Sequence, residues 1–219
     1  MTNCRLTDPE FERGVKDFLA VCNVVKVFRH TRILQIAPRP FDFWSTMCNE
    51  GELLEKFNIQ LSPIPLPELT AQVKQAKEEG TEVKAVMDYC KEKMNVCVTE
   101  EQLENVAALK VAMRRLADQY GCNAVAIQCW NALQGELGIM PCAANSLLNE
   151  EGLPVVCETD IHGAITAVMA EAADLNRTPS FFADWTVRHP DNENGELLQH
   201  CGPLPPLRPA SSPPGAWSR

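Results

Sequence analysis

The sequence predicts an α/β fold: an open, mostly parallel sheet flanked by helices on both faces, followed by an irregular proline-rich C-terminal tail. Three observations predict it. Short apolar runs alternate with longer stretches of helical period along residues 31–188. The connections between the runs are long enough to be helical crossovers, and two runs end in an acid, at Glu158 and Asp184. Repeated alternation of this kind calls for parallel strands covered by helices.

The elements follow in order. Residues 1–30 form an amphipathic helix, with Phe11, Val15, Phe18, Leu19, Cys22, Val25 and Phe28 spaced at threes and fours. Arg32 to Ala37 is a short strand ending at Pro38, and Phe43 to Phe57 is a helix closing near Asn58, a C-cap residue. Ile59 to Ile64 is a second strand. Pro67 opens the next helix, with proline in the first turn and Glu68 beside it, and Gly80 ends it. Glu82 to Met94 and Thr99 to Tyr120 are helical in period, the latter opened by a capping box of Thr99 and Gln102 and closed by Gly121. Asn123 to Trp130 is a third strand, Gly138 to Leu148 a helix and Leu153 to Glu158 a fourth strand.

Asp160 to Ala172 is alanine-rich and free of proline, a crossover helix with Asp160 as N-cap in preference to a ligand. It leads to a strand over Ser180 to Asp184. Parallel strands joined by one crossover are often sheet neighbours, about 4.8 Å apart, so Glu158 and Asp184 are expected at one rim. That carboxyl rim is where open α/β sheets bind ligands. Residues 189–219 read as a loop and a tail outside the core. Within the tail, Pro203 to Arg208 fit a polyproline ligand with a trailing arginine, against the simpler reading of an unstructured end.

At 219 residues and 45% hydrophobic composition, the chain is long enough to bury a sizeable core. A net charge of -9 argues against a nucleic-acid backbone or an anionic membrane as the main partner. The opening residues lack the basic start and apolar centre of a signal peptide, and no apolar run approaches the ~18 residues of a membrane span. A soluble, cytoplasmic protein is expected. The ten cysteines are scattered, without a C-x-x-C pair, and read as reduced thiols; Cys122, Cys129 and Cys157 fall inside apolar runs.

Glu158, Asp184 and His200 supply the donor set of a divalent cation: carboxylates suit Mg²⁺ or Mn²⁺, and an imidazole tilts the choice toward Mn²⁺. Spacing alone equally allows a cap partner, a turn residue and an exposed histidine. Trp130, Asn131, Gln134 and Glu136 follow the third strand at the same rim, where an aromatic face and amides suit a polyol, or else pack as a plain loop. Arg39, in the loop after the first strand, is a substrate contact or an ordinary surface arginine. His162 lines the cleft or is solvated.

Taken together, these residues resemble the L-fucose and L-arabinose isomerase superfamily. The resemblance rests on Val156-Cys157-Glu158-Thr159-Asp160-Ile161-His162-Gly163-Ala164, Phe182-Ala183-Asp184-Trp185 and Leu197-Leu198-Gln199-His200-Cys201-Gly202. It also draws on Gln35-Ile36-Ala37-Pro38-Arg39-Pro40, Asn49-Glu50-Gly51-Glu52-Leu53-Leu54 and Ala126-Ile127-Gln128-Cys129-Trp130, and runs from about Val15 to Gly202. The resemblance implies a metal-dependent aldose–ketose isomerase acting through an enediol. Glu158 and Asp184 would be catalytic carboxylates and, with His200, ligands of a catalytic manganese, while Trp130 and Gln134 would contact a small sugar. It further implies a homo-oligomer, trimer or hexamer. Members of the family carry further domains before and after this region, so the chain is expected to be truncated at both ends. Two alternatives stand beside this: a non-catalytic binding or interaction module of the same fold, and another α/β metal-dependent sugar enzyme such as an aldolase.

Overall fold

A computed structural model describes residues 4–200; the proline-rich tail with Pro203 to Arg208 lies outside the described residues, as do Cys201 and Gly202. The elements run α1 (Pro9–Phe28), β1 (Arg32–Ile36), α2 (Glu50–Phe57), β2 (Gln60–Ile64), α3 (Leu66–Glu79), α4 (Thr81–Lys93) and α5 (Glu100–Gln119). They continue as β3 (Ala124–Ile127), α6 (Ala132–Leu137), α7 (Cys142–Glu150), β4 (Val155–Val156), α8 (Ile161–Ala173), β5 (Asp184–Arg188) and β6 (Glu196–Gln199). The first four strands form one parallel sheet in the order β2-β1-β3-β4, with helices on both faces.

Strand alternation decides which helices cover which face. Leu34, Ile36, Val125, Ile127 and Val155 point to one side, where Leu69 and Val73 of α3, Val83 of α4, Leu109 and Met113 of α5 and Leu148 of α7 close over them. Ile33, Ala124, Ala126 and Val156 point to the other, against Leu53 of α2 and Ile161, Ala164, Ile165 and Val168 of α8. Leu34, Ile36, Leu109 and Met113 are wholly buried, and each such side chain contributes roughly 1.5–3 kcal/mol. The capping box expected at α5 is present, Thr99 accepting from Gln102 N–H while the Gln102 side chain accepts from Thr99 N–H. Helix α1 lies against α8, where Asn23 Nδ2 donates to Ala172 O at 3.0 Å, and its outer face leaves Phe18, Val21 and Val25 exposed.

Several elements differ from expectation. The helix read over Phe43 to Phe57 is a short 3-10 turn at Trp44–Thr46 and then α2, because Asn49 caps the later start by accepting from Glu52 N–H at 3.1 Å. The helix read from Gly138 to Leu148 starts later, as α7 at Cys142 after Pro141, and a separate short helix, α6, precedes it in the stretch read as a rim loop, ending at Gly138 in a left-handed conformation (φ 66°). Strand β3 stops at Ile127, short of Trp130.

The largest correction concerns Ser180 to Asp184, which is no fifth parallel strand. Asn149 Oδ1 accepts the Val155 N–H at 2.6 Å, so a side chain occupies the hydrogen-bonding edge of β4 that a new strand would need. Ser180 is held by side chains instead: its N–H and its hydroxyl each donate to Glu171 Oε1 at 2.8 Å, and its carbonyl accepts from Asn149 Nδ2 at 3.5 Å. Asp184 begins β5, which pairs antiparallel with β6 in a separate two-stranded ribbon exposed along both strands. Strand β6 falls in the stretch read from sequence as loop.

Candidate functional site

Strand order reverses between β1 and β3: the chain moves outward from β1 to β2, then returns to the other side of β1 for β3 and β4. Open α/β sheets have their ligand crevice at such a switch, beyond the carboxyl ends of the strands. Here that end of the sheet carries the loop after β1, the loop after β3 and the turn after β4.

The turn after β4 carries Glu158. Glu158 (φ 63°) and Thr159 (φ 52°) are consecutive left-handed residues, a conformation costing about 1–2 kcal/mol for each L-residue. The bend is held by Thr159 N–H to Ile127 O at 3.1 Å and Asp160 N–H to Cys157 O at 3.1 Å. The Thr159 hydroxyl reaches Pro38 O at 3.4 Å, tying this turn to the loop after β1. Asp160 then caps α8, its Oδ1 accepting from Gly163 N–H at 2.9 Å.

Glu158 comes from the turn after β4, Asp184 and His200 from adjoining ends of the β5–β6 ribbon, and the three share one electrostatic neighbourhood. Burial pushes the Glu158 carboxyl above its ordinary value, the nearby His200 pulls it back, and the charges of Asp184 and Asp160 raise it further. His200 Nδ1 lies 3.1 Å from Asp184 Oδ2. With the carboxylate as acceptor, Nδ1 carries a proton, and Nε2 is the ring nitrogen turned away from Asp184. The His200 side chain is only 3% exposed, and its Nε2 is buried with no hydrogen-bond partner among the described residues.

The imidazole packs edge-on against Phe182, ring centroids 5.3 Å apart. Phe182 lies close on the first turn of α8, where a Cβ on Gly163 would stand 2.8 Å from Phe182 Cε2. A glycine inside an alanine-rich helix was the available sequence signal for that approach. Sequence reading missed Phe182, Thr159 and Asn149 as supports of the site, because their partners are distant in the chain.

The residues expected to hold sugar lie elsewhere on the rim. Trp130 is half exposed, its ring 6.2 Å from that of Phe43 in the loop after β1. Gln134 is exposed and donates to Met140 Sδ; neither Trp130 nor Gln134 is hydrogen-bonded to Glu158, Asp184 or His200. Arg39 Nη1 donates to the carbonyls of Pro40 and Phe41 at 3.0 Å, with Phe43 O at 3.4 Å, and its guanidinium lies 4.9 Å from the centre of the Trp44 ring. His162 is exposed, its carbonyl accepting from the Thr166 hydroxyl. Beneath the rim, Cys129 and Cys157 are buried and share a thiol hydrogen bond, which lowers Cys129 and, with burial, raises Cys157.

Two carboxylates and an imidazole with a buried, unpartnered Nε2 fit the donor chemistry of Mn²⁺. They are gathered without being closed: among the described residues, no group of three or more His, Cys, Asp or Glu side chains stands in ligating arrangement. No helix among these residues is long and apolar enough to cross a membrane.

Fold and rim together define an α/β domain of the kind that binds its ligand where the strand order reverses. No family model matches the chain. It is 29% identical over 183 residues to a sulfoquinovose isomerase of Alkalicoccus urumqiensis, covering 83% of this chain and 40% of that protein. A sulfoquinovose isomerase of Priestia aryabhattai is 24% identical over 182 residues, with the same coverage. One from Clostridium sp. (strain MSTE9) is 26% identical over 208 residues, 89% of this chain and 43% of that protein. The chain thus spans about two-fifths of the length of these relatives.

Proposed function

We propose that this chain forms the metal-binding α/β part of an aldose–ketose isomerase that works through an enediol, with a sulfonated hexose such as sulfoquinovose as substrate. The observation that carries the proposal is the half-buried Glu158 at the carboxyl rim, raised above its ordinary value by burial and sharing its surroundings with His200 and Asp184, in a chain whose relatives are named sulfoquinovose isomerases.

Glu158, Asp184 and His200 would hold the ion, which supplies Lewis acidity to the oxygen on which negative charge develops. Isomerisation moves one proton between neighbouring carbons of the sugar. A carboxyl group raised by burial is closer in pKa to working pH and so better matched to that exchange than an ordinary surface acid. Asp184 orients His200 through Nδ1, leaving Nε2 as the donor atom. Trp130 offers a flat apolar face to the sugar's C–H groups, with Gln134 in the short helix α6 that follows.

The test is a calorimetric titration of the full chain with Mn²⁺, wild type against Asp184→Ala, followed by NMR detection of ketose formed from sulfoquinovose. Stoichiometric binding that is lost in the variant is expected; wild-type protein that binds no divalent ion refutes the metal assignment. A homo-oligomer belongs to the same reading, supported by the apolar side chains exposed on α1 and measured by sedimentation. The open arrangement of the three ligands favours a second reading, a non-catalytic binding module that retains a partial site. It predicts sugar binding without conversion.

A further inference from the structure

Arg39 is a cation in the loop after β1, at the carboxyl end of the sheet, and among the described residues no acid is paired with it. Its Nη1 is spent on the carbonyls of Pro40, Phe41 and Phe43, all within its own loop. The indole of Trp44 covers the guanidinium at 4.9 Å. Three carbonyl acceptors and a ring contact hold the group in one plane, which reduces the entropy lost when its remaining donors engage a ligand. Those donors, Nε and Nη2, have no partner among the described residues, and no carboxylate lies within salt-bridge distance of this arginine. Lys110, Arg114 and Arg115, also partly buried, are each paired with a glutamate.

The position is specific as well. Pro38 O accepts from the Thr159 hydroxyl, so Arg39 and Glu158 are each one residue from that bond, roughly 3.8 Å of chain on either side. The loop also meets the segment after β3, because Phe43 packs against Trp130. A chain of net charge -9 repels an anionic substrate overall, and binding one calls for a local cation at the point of entry. A planar guanidinium with a free edge suits a tetrahedral oxyanion, to which it donates two parallel hydrogen bonds.

We infer that Arg39 is a specificity-determining residue: it binds the anionic group, sulfonate or phosphate, on the terminal carbon of an aldose whose carbonyl end lies toward Glu158. This rests on the sugar-site reading of the same rim and assigns the residue by which the site tells an anionic sugar from a neutral one. Trp44 backs the guanidinium, and the aromatic pair of Phe43 and Trp130 borders the sugar's path between the two ends.

The experiment measures binding of sulfoquinovose, glucose 6-phosphate and glucose to the full chain by calorimetry and saturation-transfer NMR, for wild type, Arg39→Met and Arg39→Lys. Losing hydrogen bonds to a charged group costs about 1.5–3 kcal/mol, so the preference for the anionic sugar over glucose is expected to fall about 10- to 100-fold in Arg39→Met. Arg39→Lys keeps the charge without the fork and is expected to fall between the two. Comparison of the two anionic sugars tells sulfonate from phosphate. Equal loss for charged and neutral sugars would make Arg39 a structural clamp of its loop and overturn the inference. So would an unchanged preference, or a wild-type chain that binds neither anionic sugar. Arg39-dependent binding without ketose formation leaves the inference standing and defeats the isomerase reading; isomerisation indifferent to Arg39 does the reverse.

Discussion

The tether between Ser180 and Glu171 holds the segment that delivers Phe182 and Asp184 to the rim, and replacing it should be felt in stability and in the site together. Glu171 is 7% exposed and accepts two hydrogen bonds from Ser180, both at 2.8 Å. Ser180→Ala removes the hydroxyl bond alone, about 1.5–3 kcal/mol for a bond to a charged group. Glu171→Ala removes both, yet it also relieves the burial of a charge, so we expect about 3 kcal/mol in place of the simple sum. Glu171→Gln isolates the charge, since the amide oxygen still accepts both bonds. Burial raises the Glu171 carboxyl above its ordinary value of 4.5, and the two bonds from Ser180 offset this only in part. The folded state therefore holds the proton more tightly than the unfolded chain. Its stabilising contribution is complete below the unfolded value and is lost as pH rises through the higher folded one. Urea unfolding of wild type and Glu171→Gln between about pH 4 and pH 8 should show the glutamine variant gaining relative stability as pH rises. A relative stability that is flat, or that falls with pH, would refute the reasoning.

Three further outcomes are expected. Leu109→Ala, at a wholly buried position in α5, should cost about 2.7–5 kcal/mol in chemical denaturation; a loss below ~1 kcal/mol would contradict the packing described. Asn149→Ala leaves the Val155 N–H at the sheet edge without its acceptor and should cost about 1–3 kcal/mol, with faster amide exchange at Val155. Glu158→Gln should abolish Mn²⁺ binding while raising the stability of the metal-free protein at neutral pH relative to acid, because the raised Glu158 carboxyl loses its contribution as pH rises. Metal binding that survives this change would remove Glu158 from the ligand set.

The parallel sheet with helices on both faces was legible in the sequence because its signals are local. Apolar runs at Arg32–Ile36 and Ala124–Ile127, the Thr99 capping box and the Asp160 cap each depend on residues a few positions apart. Glu158 beyond a strand end was legible for the same reason. Where Asp184 comes from was not: an apolar run ending in an acid reads as a strand, but Asn149 and Glu171 claim the backbone groups that a strand would have used. Nor could spacing show that Phe182 packs on Gly163 and His200, or that Thr159 reaches Pro38. Those contacts join segments separated along the chain, and nothing in the composition of either segment encodes the other. The sequence by itself determined the elements, their caps and the alternation that sorts side chains to the two faces of the sheet. Only the tertiary structure decided which edge stays closed, how Asp184 and His200 meet near Glu158, and that Arg39 stands without a counter-charge among the described residues, because burial and charge pairing depend on distances that chain folding alone sets.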